Sequence, residues 1–249
     1  MRLLVAMLSM CLMPACVLAA SDTNVSTLAR LAPEADARVL SLALEARQCA
    51  SHQLGQAPSA RLAVIDYSRA STQPRLWVFD LERRVLLFRE LVAHGQGTGE
   101  NMAREFSNRD GSHQSSLGLF RTADTYQGNN GYSLRMQGLE PGTNDAAMAR
   151  AIVMHGAPYV SASNAREHGR LGRSWGCPAL RPEVAHAVID SLKNGQMIFA
   201  YYPNTNWLAH SPFLGCHDKM LASNRSPLPG PTSIAATTSS LSTLASMPH

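Results

Sequence analysis

The spacing of apolar positions along the chain changes character near residue 60. From Ser26 to Gln53, Leu28, Leu31, Ala35, Val39, Leu42 and Ala46 recur at near-helical spacing. This predicts one helix or two, with Pro33 marking a helix start because proline is poorly tolerated inside one. Beyond it, Arg61–Tyr67, Arg75–Leu81 and Val85–Val92 are apolar runs with short polar joins, the pattern of a three-stranded meander. Further strands are predicted at Gly118–Thr122, Ser133–Leu139, Ala151–Met154 and Gln196–Tyr202, with Gly128-Asn129-Asn130-Gly131 as a turn signal. Pro182–Lys193 reads as a helix opened by proline. The expected class is mainly β, a β-rich α+β domain: a sheet sandwich or barrel with peripheral helices and an N-terminal helix.

Between these elements the chain is punctuated by segments of another texture. Residues His94 to Ser116 form a long polar loop, a length that marks functional or disordered segments. Its Gly95-Gln96-Gly97-Thr98-Gly99 run does not mark a dinucleotide site, because no helix follows it and no βαβ unit surrounds it. The first residues, Met1-Arg2 followed by apolar Leu3 to Leu18 and small Ala19-Ala20, have the layout of a secretory signal, too short for a membrane span. Cys16 raises a lipid anchor as the lesser alternative. From Ala222 onward Ser, Thr, Pro and Ala dominate with almost no charge, as in a disordered tail. The expected division is a signal peptide over 1–20, a helical segment over 21–60, a catalytic domain over 61–217 and a tail over 218–249. The mature chain, with no other long apolar run, is expected to be periplasmic or secreted without an integral membrane segment.

Composition narrows the function classes modestly. The net charge of +4 comes without a basic stripe interleaved with aromatics, so nucleic acid is not an expected partner. A positive excess this small discriminates poorly among other partners.

The chemistry concentrates in His155-Gly156 and Ser174-Trp175-Gly176-Cys177. A thiolate is a strong nucleophile, and a nearby imidazole can take its proton and return it to a leaving amine. His155 follows the short apolar run Ala-Ile-Val-Met, so it is expected at a strand end, where a catalytic ring is held firmly. Cys177 lies between Gly176 and Pro178, outside any helix interior. The N–H groups of Gly176 and Cys177 are candidates for holding a tetrahedral oxyanion, and Ser174 for a hydrogen bond near the turn. His168 rivals His155 for the base; its Arg-rich surroundings (Arg166, Arg170, Arg173) suggest a lid or substrate residue instead. No CxxC or HExxH spacing accompanies these residues, and no metal is expected.

The block IVMHGAPYVSASNAREHGRLGRSWGCPALRP resembles the L,D-transpeptidases of the YkuD-like catalytic domain family, which remodel bacterial peptidoglycan. The resemblance covers roughly residues 61 to 203. That family carries a Ser/Thr-His-Gly-Cys motif; here Trp175 replaces the second histidine, and Ala179 stands where Arg or Asn is usual, the marks of a divergent branch. The resemblance implies Cys177 as nucleophile, His155 as general base, and the carbonyl of Gly156 as the group orienting the imidazole. It aligns Ser115-Ser116-Leu117-Gly118-Leu119-Phe120 with a segment entering the cleft, so Gly118 is either a substrate contact or a bulge glycine. Arg173 and Arg181 are candidates to bind a stem carboxylate, with His168 and Trp175 as further substrate residues. The implied function is transfer of a stem peptide through a cysteine thioacyl-enzyme to an amine, with no cofactor. The alternatives are an L,D-carboxypeptidase or amide hydrolase using the same pair and, less favoured, a non-catalytic wall-binding protein. Three cysteines remain after signal cleavage; with Cys177 kept as a thiol for chemistry, Cys49 and Cys216 are expected to form a disulfide, three free thiols being the alternative.

Overall fold

The computed structural model describes residues 18–216. Most of the expected leader and the whole tail over 218–249 lie outside them. Two helices, α1 (Leu18–Leu31) and α2 (Ala37–Leu54), open the chain, with Pro33 in the break between them. Asp36 caps α2 by accepting the N–H of Arg38, and Gly55, at φ 61, ends it in the left-handed region where glycine carries no steric penalty. The buried stripe Val39, Leu40, Ala43, Ala46, Cys49 and Ala50 faces the sheet, and α2 packs on strands β1 (Arg61–Asp66) and β8 (Met197–Tyr201). Glu34 fastens the helix pair by accepting the Trp77 indole N–H at 3.0 Å and pairing with Arg89.

The remaining strands are β2 (Leu76–Asp80), β3 (Val85–Glu90), β4 (Gly118–Gly128), β5 (Gly131–Gly138), β6 (Val153–Gly156) and β7 (Ala179–Leu180). They form one eight-stranded sheet in the order β3-β2-β1-β8-β4-β5-β6-β7. The β1–β8 and β6–β7 pairs are parallel and the others antiparallel, with β1 to β3 as the expected meander. Just past β3, the Ala93 N–H donates to the Ala179 carbonyl at 2.8 Å, so the two outer strands meet and the sheet is a nearly closed barrel. Arg181 fastens the same seam with a two-pronged bond to Glu90 (2.9 and 2.8 Å). Helix α4 (Pro182–Leu192) packs against β1, β5 and β6 through Val188, Ile189 and Leu192. Each fully buried side chain of that kind is worth roughly 1.5–3 kcal/mol.

Several bounds differ from the pattern-based expectation. β4 runs on to Gly128, with its register to β5 shifting between Thr122 and Thr125, because the two-residue turn at 129–130 makes β4 and β5 a long hairpin. β6 starts only at Val153, since Ala151 sits at φ 52, outside strand geometry. α3 (Ala162–His168) and α5 (Thr205–His210) are short helices on the periphery. Cys49 and Cys216 are joined by a disulfide that ties α2 to the segment after α5, while Cys177 is free. Among the described residues no helix is long and apolar enough to cross a membrane.

Candidate active site

Cys177 stands on a turn whose shape is imposed from several sides. Ser174 Oγ donates to the Cys177 carbonyl at 2.6 Å and accepts the Gly176 N–H at 3.1 Å, so one hydroxyl spans the turn. Gly176 has φ +122, and a Cβ there would lie 2.7 Å from the Gln114 carbonyl and 2.9 Å from Ile152 Cδ1; only glycine fits. The expected loop over 94–116 is the platform beneath. The Gln96 N–H donates to the Ser174 carbonyl, the Ser174 N–H donates to the His94 carbonyl, and Ser115 Oγ donates to the Gly176 carbonyl at 3.0 Å. Ser115 Oγ also accepts the Gly95 N–H at 3.0 Å, and Tyr67 is a further partner. Arg150 stitches the same loop by donating to the carbonyls of Ser107 and Gln114 and to the hydroxyls of Ser112 and Ser116.

The sulfur is held by main chain. The Val153 N–H donates to Cys177 Sγ at 3.4 Å, and the thiol faces the Ala151 carbonyl at 3.8 Å. Burial pushes the Cys177 thiol up, opposed by the Val153 N–H and the Arg150 guanidinium. His155 lies two residues beyond Val153 and therefore on the same face of β6. Its Nδ1 is 3.0 Å from the Gly156 carbonyl. A carbonyl only accepts, so Nδ1 carries the proton and Nε2 keeps its lone pair. Burial holds the imidazole below its ordinary value, more strongly than the Gly156 contact raises it. Both shifts favour the uncharged forms, and among the described residues no hydrogen bond joins the two.

A second layer of buried polar groups lies behind the turn. The guanidinium of Arg75, fully buried, donates to the carbonyls of Val92 and Arg69 and to His94 Nδ1 at 2.8 Å, and stacks over Tyr67. Burial pushes His94 down to about 4 and Tyr67 up to about 12.

The other residues read from the sequence fall in different places. Trp175, 71% exposed, stacks in parallel on His113 with ring centroids 5.0 Å apart. Arg173 donates to the Gly99 carbonyl and, with Arg170, pairs with Glu100. Arg181 is occupied by Glu90. His168 ends α3 with its Nδ1 against the Asn164 carbonyl at 3.2 Å, exposed and without a described contact to the Cys177 turn. Gly118, at φ +99, lies against Glu140 and Asn144, where a Cβ would come within 2.8 Å of their side chains. That buried cluster, not the Cys177 turn, accounts for the glycine. The Gly176 N–H, expected to face an oxyanion, is engaged by Ser174. Sequence reasoning missed Arg150 and Tyr159, whose roles depend on loop packing that leaves no motif. Tyr159 is pushed up to about 12 by burial and by the charge an ionised Cys177 carries. Among the described residues no group of three or more His, Cys, Asp or Glu is placed to hold a metal ion.

The chain belongs to the L,D-transpeptidase catalytic domain family, whose sequence profile matches residues 31–201. No curated protein matches it. Solved structures similar to it include an L,D-transpeptidase from Mycobacterium smegmatis, at 14% identity and TM-score 0.37, covering 59% of this chain and 61% of that one. Mycobacterium tuberculosis L,D-transpeptidase 1 is similar at 14% identity and TM-score 0.33, covering 59% of this chain and 64% of that one. The helical cell shape determining protein Pgp2 from Campylobacter jejuni is similar at 10% identity and TM-score 0.40, with 59% and 48% covered. The match spans about three fifths of the length of the mycobacterial proteins.

Proposed function

We propose that the protein is an exported peptidoglycan L,D-transpeptidase working through a thioacyl-enzyme on Cys177. The observation that carries this reading is a free thiol on a glycine turn, held by the Val153 N–H, with a strand-end imidazole two residues on from Val153 whose unprotonated nitrogen is available. In the proposed cycle His155 Nε2 takes the thiol proton as Sγ attacks the carbonyl carbon of the third stem residue. The C–N bond to the terminal D-alanine then breaks, and the imidazolium returns its proton to the leaving amine. An acceptor amine attacks the thioester, gives its proton to His155 and releases the thiolate, which is reprotonated. With Gly176 already bonded to Ser174, the Cys177 N–H is the turn donor left for the developing oxyanion. Burial disfavours both the thiolate and the imidazolium, which favours proton transfer during attack over a preformed ion pair.

The family membership supports the reaction class, and the disulfide fits an oxidising compartment. The test is to incubate the purified protein with a stem tetrapeptide, with and without an added amine, and to identify products by mass spectrometry. A new amide and released D-alanine are expected with the amine. Release of D-alanine with water alone as acceptor would make the protein a carboxypeptidase, and no release would refute the reading.

A further inference from the structure

Beside the strand that holds the sulfur lies a half-open cavity of about 260 Å³, lined by Tyr126, Arg135, Met148, Ala151, Ile152 and Val153. Its lining therefore includes the segment whose carbonyl and N–H, at Ala151 and Val153, touch Cys177 Sγ. Arg135 pairs with Val153 across β5 and β6, Ser133 with His155, and Tyr126 with Ser133. Directly opposed residues share a face, so the Tyr126, Arg135, Val153 and His155 side chains belong to one face, with neighbouring strands about 4.8 Å apart. The guanidinium lies over the Tyr126 ring at 4.2 Å, which fixes it in the cavity wall. Among the described residues its hydrogen-bond partner is Asp124, whose side chain is 67% exposed. An exposed pair of this kind contributes little and is readily exchanged, and the remaining guanidinium N–H groups form a fork suited to a planar anion.

We infer that Arg135, backed by Tyr126, is a specificity-determining residue that receives a carboxylate of the stem peptide in this cavity while the neighbouring carbonyl is presented to Cys177. The inference rests on the proposed transpeptidase reading and gives it a subsite on β5, whereas Arg173 is also tied to the Gly99 carbonyl and Arg181 is held by a two-pronged bond to the mostly buried Glu90. Two carboxylates have the required chemistry: the terminal one of D-alanine and, where the third stem residue is a diamino diacid, the one on its side chain. Asp124 acts as the placeholder that the substrate displaces.

Calorimetry on the Cys177→Ala protein, which cannot turn over, separates binding from reaction. The probes are a stem tetrapeptide as the free acid, the same peptide amidated at its C-terminus, and the same peptide amidated at the third residue's side chain. A charge-assisted hydrogen bond implies that one amidated form binds about 10- to 100-fold more weakly than the free acid, and which form it is identifies the carboxylate. Adding Arg135→Gln should erase that preference, Arg135→Lys should keep part of it, and Asp124→Asn should sharpen it, all with unchanged thermal melting. Equal binding of all three peptides, no binding of any, or a preference that survives Arg135→Gln overturns the inference. Failure of the transpeptidase reading shows separately, as the absence of a thioacyl adduct on the unsubstituted enzyme.

Discussion

His94 offers a stability measurement that reports directly on the layer behind the Cys177 turn. Its Nδ1 accepts from Arg75, so the proton of the neutral ring sits on Nε2, facing the Gly99 carbonyl at 3.2 Å. Protonating Nδ1 would remove that acceptor and set an imidazolium against a buried guanidinium. Burial first, and the Arg75 charge second, push the group from 6.5 down to about 4. Because the folded value lies below the unfolded one, the unfolded chain binds the proton first on acidification. The contribution is complete above about pH 6.5 and is lost progressively as pH falls towards about 4. At about 1.4 kcal/mol per pH unit, the full loss is about 3 kcal/mol, of which about 2 kcal/mol has gone by pH 4.5. His94→Gln has no titrating group there, while its amide can still accept from Arg75 and donate to Gly99. Urea unfolding of both proteins at about pH 7 and about pH 4.5 would isolate the term, because other titrating groups cancel in the difference. The variant should lose about 2 kcal/mol less than the wild type over that interval. Equal losses would refute the neutral, Arg75-facing imidazole.

Further outcomes follow from the site and the termini. His155→Ala should slow acylation by on the order of a hundred- to ten-thousand-fold, whereas His168→Ala, at the exposed end of α3, should leave it nearly unchanged; equal or reversed effects in stopped-flow acylation would move the base assignment. Burial holds the Cys177 thiol above its ordinary value, so iodoacetamide should label it at neutral pH more slowly than a small free thiol and faster as pH rises; faster labelling at neutral pH would indicate a preformed thiolate. Thiol counting on unreduced, denatured mature protein should find one reactive cysteine, mapped to Cys177. Reducing the bridge, which spans 167 residues, should cost about 5 kcal/mol in the chain-entropy picture. Three free thiols would contradict the pairing.

What could be read in the sequence was local, and what could not was tertiary. The apolar runs of β1, β2 and β8 announce themselves because these strands are buried along almost their full length. Pro182 opens α4 where proline costs nothing. The two-residue β7 has no periodicity to detect; it exists because Ala179 meets both His155 and Ala93. α5 buries only Trp207 and so lacks an apolar stripe. At the site, the His-Gly and Ser-Trp-Gly-Cys segments mark the residues proposed to react. The network through Tyr67, Arg75, His94 and Ser115 joins positions far apart in the chain, and no local pattern encodes it. Arg173 and Arg181, read as candidates for a stem carboxylate, each have a protein carboxylate as partner.

The central claim is that Cys177 carries the acyl group. The direct measurement is the intact mass of the mature protein quenched in acid during turnover of a stem tetrapeptide, followed by peptide mapping. The account predicts a hydroxylamine-labile adduct equal to the tetrapeptide acyl group without its terminal D-alanine, located on the peptide containing Cys177 and absent from Cys177→Ala, which should release no D-alanine. D-Alanine release that persists in Cys177→Ala, or an adduct mapped to another residue, would contradict it.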